Sequence, residues 1–258
     1  MTAERRLYLP LLGSVIALAW LTLWMWERSP YGRYLSHGEL AGLDLSDGSE
    51  ALLRAGLYVL GWLLMTVAMM LPTVLPLLAI FRRLVAARAE RAQYLTLCVL
   101  GYLGVWMAFG VVAHGADLVV HEATERIAWL EDNAWAIGAA TLLAAGAFQF
   151  TALKYRCLDK CRTPLSFVME HWHGRRERWN AFWLGAHHGI FCVGCCWALM
   201  LIMFGVGIGN VGWMLALGAV MVIEKNVSWG RRIGRPLGVA LLAWGLAVAL
   251  EALRWPGA

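Results

Sequence analysis

Seven apolar stretches, each near the length that crosses a bilayer, constrain this chain more than any other feature. They run over Leu7–Trp26, Ala55–Phe81, Tyr94–Val120, Ala134–Leu153, Ala181–Phe204, Ile208–Ile223 and Leu237–Leu253. A helix needs about 20 mostly apolar residues to span the hydrocarbon core. Composition agrees, with 60% hydrophobic and 15% charged residues and a mean hydropathy of +0.61. A soluble domain carries about a quarter charged residues, and one of this size cannot hide so much apolar surface. The expected fold is all-α: a polytopic transmembrane helical bundle of about seven spans, or six, since the last two stretches are short. No repeat, low-complexity tract or long loop divides residues 1–258, which read as a single integral membrane domain.

Basic residues set the expected orientation. Arg5 and Arg6 precede the first stretch, but Trp20, Trp24 and Trp26 stand where a cleavage site would need small residues, so it reads as a retained anchor. Placing the N-terminus in the cytoplasm puts 17 of the 22 basic residues inside: Arg5 and Arg6, the group Arg82–Arg91, the group Lys154–Arg178, and Lys225–Arg235. That asymmetry follows the positive-inside rule. The outside loops are acidic, with Glu39, Asp44, Asp47 and Glu50 in one and Glu122, Glu125, Glu131 and Asp132 in the other. The net charge of +5 is thereby a topology marker and gives no reason to expect nucleic acid. The expected location is the bacterial inner membrane, multi-pass, with the lipid bilayer as the first partner.

The densest chemistry lies in the fifth stretch, AHHGIFCVGCCW over 186–197. At 3.6 residues per turn, His188, Cys192, Cys195 and Cys196 share one face, which Met200 and Met203 continue. Cys192 falls about 16 Å into the stretch, near the midplane. Thiolate and thioether sulfur suit a soft ion such as copper(I), with imidazole as a borderline partner. Buried cysteine and methionine also serve as plain packing, but three thiols beside His187 and His188 inside a span favour metal. Cys157 and Cys161 form a second cluster, KYRCLDKCR over 154–162. They sit one helical turn apart among basic residues that favour thiolate, just past the cytoplasmic end of the fourth stretch. A stop-transfer loop with two incidental cysteines is the plain alternative. In the second stretch, Met65, Met69 and Met70 lie next to Pro72 and Pro76, whose missing N–H groups free carbonyls and bend helices at sites.

His114, Asp117 and His121 share a stripe near the outer end of the third stretch and are secondary metal candidates, suited to copper(II), zinc or iron. A solvated interfacial face accounts for them almost as well. The pair His171 and His173 lies in the basic cytoplasmic segment, either as an ion hand-over point or as ordinary surface residues. Glu224 and Lys225 most simply form a terminal ion pair; Cys98 and His37 are isolated. Small residues four apart, Gly185 with Gly189 and Ala140 with Ala144, predict close helix packing. No phosphate-binding loop, nucleophile elbow, H-E-x-x-H or haem-attachment motif is present in the sequence.

Four segments carry a family likeness: MTVAMMLPTVLP (65–76), QFTALKYRCLDKCRTP (149–164), GAHHGIFCVGCCWALM (185–200) and GIGNVGWMLALGAVMVIEK (207–225). Through them, residues 55–226 resemble an uncharacterised bacterial family of predicted metal-binding integral membrane proteins. The resemblance implies roles for Met69, Met70, Cys157, Cys161, Cys192, Cys195, Cys196, Asn210, Glu224 and Lys225. A methionine often precedes the asparagine in that family, where this chain has Gly209. A small soluble metal-related protein is the partner the resemblance suggests.

The leading expectation is a membrane-embedded protein that binds a transition metal, copper first and zinc or iron next. It would act in metal handling or delivery to a cuproprotein, with Cys157 and Cys161 as a cytoplasmic site for uptake or release. The second reading is a membrane metalloenzyme, or a subunit of a larger oxidoreductase or monooxygenase complex, using His114, Asp117 and His121. The third is thiol–disulfide exchange between Cys157, Cys161 and the Cys192 helix. No catalytic residue is assigned.

Overall fold

The computed structural model describes residues 4–29, 48–173, 176–206 and 210–254. Arg33, His37, Glu39, Asp44, Asp47, Arg175 and Gly209 lie outside the described residues, as do the side chains of Arg5, Arg6, Glu50 and Arg54. Among the described residues the fold is an all-α bundle. Its helices are α1 (Glu4–Glu27), α2 (Gly48–Leu84), α3 (Arg91–Arg126), α4 (Ala128–Asp132), α5 (Trp135–Phe148), α6 (Ala152–Arg162), α7 (Pro164–His171), α8 (Glu177–Val206), α9 (Val211–Asn226) and α10 (Gly234–Arg254). Five segments are long and apolar enough to cross a membrane, and the pair α5–α6 makes a sixth if read as one bent span.

Three boundaries differ from those expected. Helix α3 continues past Val120 to Arg126, so Glu122 and Glu125 lie on helix; Glu122 pairs with Arg126 (2.5 Å) one turn on. Helix α9 has 16 residues, short of the usual span. The fourth stretch breaks: α5 and α6 meet at 64° across Gln149–Thr151. Thr151 then caps α6, its side chain accepting the Lys154 amide (3.3 Å), and supplies the start signal of a new helix.

Helix α2 runs unbroken through both prolines. Pro72 cannot bond the Ala68 carbonyl one turn back, and the Trp20 indole N–H of α1 donates to that carbonyl instead (3.1 Å). Helices α3 and α8 approach backbone to backbone. A Cβ on Gly185 would run into the Cys98 carbonyl, and one on Gly101 into that of Phe182. The expected small-residue contact at Gly185 is thus present. Ala140 and Ala144 do not act this way; both are exposed, and α5 packs on α10 through Gly146 against Leu242.

Lys154 and Lys225, counted by sequence among the cytoplasmic loop charges, are both buried. Each neutralises a partner inside the bundle, so neither marks topology.

Candidate metal centre

Cys192, Cys195 and Cys196 occupy successive turns of α8 and are all buried. Their i+3 and i+4 spacing lets the Cys195 and Cys196 thiols donate to the Cys192 carbonyl (3.1 and 2.9 Å), which fixes their rotamers. Helix α6, turned by the break at Gln149–Thr151, packs along α8 and brings the buried Cys161 thiol within interacting reach of Cys192 and Cys195. Cys157 packs one turn earlier against Gly194, where a Cβ would lie 2.7 Å from its sulfur. The two cysteine groups that look separate in sequence are therefore one sulfur cluster. This replaces the expectation of a cytoplasmic site beyond the fourth stretch. All six cysteines are free thiols.

Helix α2 closes the cluster from the opposite side. The Met70 sulfur stands 4.0 Å from the Cys196 sulfur, and its carbonyl accepts from the Tyr102 hydroxyl (3.1 Å) and Thr73 (2.7 Å). Met69 packs over Gly218 of α9, and Met65 is fully buried in the core. Met200 and Met203 are buried further along α8. Of the three α2 methionines, Met70 is the one seated against a cluster thiol.

Lys225 supplies what the sulfurs lack. It ends α9, which runs back alongside α8, and its ammonium donates to Cys192 Sγ (2.9 Å) with Cys196 Sγ at 3.6 Å. The Tyr102 hydroxyl lies 3.0 Å from the same Cys192 sulfur. The ammonium is the donor to that sulfur, while the Tyr102 hydroxyl, its one proton given to the Met70 carbonyl, accepts from the Cys192 thiol. Glu224 does not pair with its neighbour. Its carboxylate takes Lys154 Nζ at 2.6 Å, both side chains being buried, and Lys154 also bonds the Gln149 side-chain carbonyl. Arg162 donates to the Glu224 backbone carbonyl and to the Ser228 carbonyl (2.8 Å). The ion pair and Arg162 join α6 to the end of α9, beside the sulfur cluster. Tyr102, Gln149 and Lys154 escaped the sequence reading; polar side chains inside apolar stretches were the available signal. Asn210 caps α9, accepting the Trp213 amide (3.1 Å), and has a structural role.

The two adjacent histidines diverge, as neighbours on a helix must at about 100° per residue. His188 is buried one turn before Cys192, near Tyr102 and Phe167, and its Nδ1 has no hydrogen-bond partner. His187 turns away, toward His171. At the far end of α3, His114 stacks on Tyr58 (4.1 Å) and His121 faces Glu125 (3.2 Å). His114, Asp117 and His121 do not converge. Among the described residues no three His, Cys, Asp or Glu side chains stand in ready ligand geometry for an ion. Thiols and a thioether are donors of the soft kind that a soft monovalent cation takes, and a buried imidazole nitrogen without a hydrogen-bond partner lies one turn away.

The site is thus a buried cluster of thiols inside an all-α bundle, with a thioether and a lysine ammonium against it. Residues 59–248 match the copper chaperone family PpoB2, and the chain belongs to that family. No curated protein and no solved structure matches it.

Proposed function

We propose that this protein is a membrane-embedded copper(I) chaperone that holds its ion in the cluster of Cys161, Cys192, Cys195 and Cys196 with Met70, and passes it to a cuproprotein. The observation that carries the reading is the meeting of thiols from α6 and α8, with a lysine ammonium against those of α8. A copper(I) ion bound by two thiolates carries one negative charge, and Lys225 at 2.9 Å from Cys192 balances it. Such balance is what a low-dielectric interior demands of an ionic complex. Copper is cargo here; the chain supplies soft donors, a counter-charge and a dry enclosure. The apolar helices and the distribution of basic residues support a multi-pass position in the bacterial inner membrane with the N-terminus inside.

The test is elemental analysis of the full chain purified anaerobically in detergent, with and without Cys192, Cys195 and Cys196 changed to serine. Copper bound by the parent and lost from the triple variant is the expected result. Equal copper in both would refute the site. A metal-free protein with Cys161 oxidised to a partner in α8 would favour thiol–disulfide exchange, which the Cys161–Cys192 contact also permits.

A further inference from the structure

Three histidines stand outside the sulfur cluster at the junction of α7 and α8. His171, the last residue of α7, and His187 on α8 face each other with ring centres 5.2 Å apart at 64°. Together with His173, Trp179, Asn180 and Trp183 they line a cavity of about 460 Å³ that opens to the surface. His173 is exposed, and the other two rings are half-buried. His171 Nδ1 lies 2.9 Å from the Phe167 carbonyl. A carbonyl only accepts, so the proton is on Nδ1 and the Nε2 lone pair of a neutral His171 is free for a ligand. A backbone carbonyl holding the distal nitrogen is the usual support of a metal-binding histidine. Asn180 donates to the His173 carbonyl (2.9 Å) and ties that residue to α8.

We propose that His171 and His187 form a two-coordinate docking site at which copper(I) first binds before moving to the sulfur cluster. The inference rests on the copper reading and adds the route of loading. Two imidazole nitrogens on a linear ion lie about 4 Å apart, at about 2 Å per bond, so the rings need to part by about 1 Å. Rotation about the side-chain torsions supplies that. The route inward is marked by side chains already in contact. The Phe167 ring stacks on His171 (4.2 Å) and meets His188 edge-on (5.2 Å), and His188 stands one turn from Cys192. His188 Nδ1 is buried and has no hydrogen-bond partner. Each step exchanges a copper–nitrogen bond for the next copper–ligand bond, and at the cluster each thiol that binds copper also breaks its S–H bond and releases the proton to water. The ion stays copper(I), and no electron moves. The direction is set by ligand softness, since thiolate outbids imidazole for copper(I). Charge agrees: neutral imidazoles leave the complex cationic where water reaches it, and the interior complex is balanced by Lys225.

The test uses the full chain in detergent micelles, with copper(I) supplied anaerobically as its acetonitrile complex. X-ray absorption on a variant with Cys157, Cys161, Cys192, Cys195 and Cys196 all changed to serine reads the docking site without the cluster thiols; linear two-nitrogen coordination is expected, and it disappears on adding His187→Gln. In the parent, His171→Gln and His187→Gln each slow the appearance of sulfur-bound copper about tenfold, the scale of effect seen when a metal-site contact is lost. The sulfur signature reached at equilibrium stays. His187→Gln guards against misfolding, since that side chain makes ring contacts only with His171 and Trp183. Loading at the parent rate in both variants, or no nitrogen-bound copper in the serine variant, would overturn the inference while leaving the sulfur site standing. Nitrogen-bound copper in the serine variant, with none on sulfur in the parent, would instead refute the sulfur site and keep the docking site.

Discussion

Replacing Lys225 by methionine removes the only cation seated against the cluster thiols among the described residues, and tests whether that charge helps or hinders the ion. The ammonium lies 2.9 Å from Cys192 Sγ and 3.6 Å from Cys196 Sγ. A copper bis-thiolate treated as one negative charge centred about 4 Å away interacts with it by about 4 kcal/mol at an effective dielectric near 20. Part of that attraction exists before copper arrives, because Lys225 already faces the Cys192 sulfur. The net loss is then about 3–4 kcal/mol, a rise in the dissociation constant of about 10²- to 10³-fold at about 1.4 kcal/mol per decade. Lys225→Arg retains the charge and should stay within about tenfold of the parent. The assay is anaerobic competition for copper(I) against a chromophoric chelator, with circular dichroism to show that the variants keep their helices. Unchanged or tighter binding by Lys225→Met and also by Lys225→Leu, which brings no thioether, would show that the ammonium competes with copper as a second cation, and would refute the charge-balance argument.

The buried Lys154–Glu224 pair predicts that Lys154→Met alone destabilises the bundle by about 3–5 kcal/mol, since it strands a carboxylate. Adding Glu224→Leu should recover much of this in chemical denaturation; failure to recover would mean that Gln149 and Arg162 contacts carry the stability instead. At the α3–α8 contact, Gly185→Ala forces a methyl into the Cys98 carbonyl and should cost about 1–3 kcal/mol, read as a lowered melting temperature. At the exposed surface, Arg178 holds the Glu90 carboxyl below its ordinary range, aided by Tyr94. A carboxyl lowered in the folded state stabilises at pH above its ordinary value and loses that contribution as pH falls through the lowered one. Protection factors near residues 88–94 and 177–180, corrected for intrinsic base-catalysed exchange, should therefore be constant from pH 6 to 8 and fall only in acid; a fall between pH 6 and 8 would contradict it.

Much of this was legible in the sequence because periodicity carries it. The stripe of Cys192, Cys195 and Cys196 and the small Gly185 follow from 3.6 residues per turn and short-range packing alone. The break at Gln149–Thr151 did not show itself, since neither proline nor glycine marks it and the hydrophobic run reaches Leu153 without pause. Only Thr151 signalled a new helix start, and a threonine in an apolar run has other uses. Lys154 and Lys225 read as loop charges because their partners, Glu224 and Cys192, lie 70 and 33 residues away and share no local pattern with them. His187 and His188 are adjacent in sequence, yet one helical step sends them to different sites. Chemistry set by pairing across the bundle leaves no period to read.

Helix α6 carries Lys154, Arg156, Asp159, Lys160 and Arg162 in eleven residues. A segment so charged has no means of partitioning into a bilayer by itself during biosynthesis. It gains its place only once Glu224, synthesised 70 residues later, is present to receive Lys154. The ion pair therefore exists only when α6 and α9 are both in place. Because the thiols of α6 and α8 come from separate helices, the sulfur cluster is a property of the finished bundle and of no single segment of it.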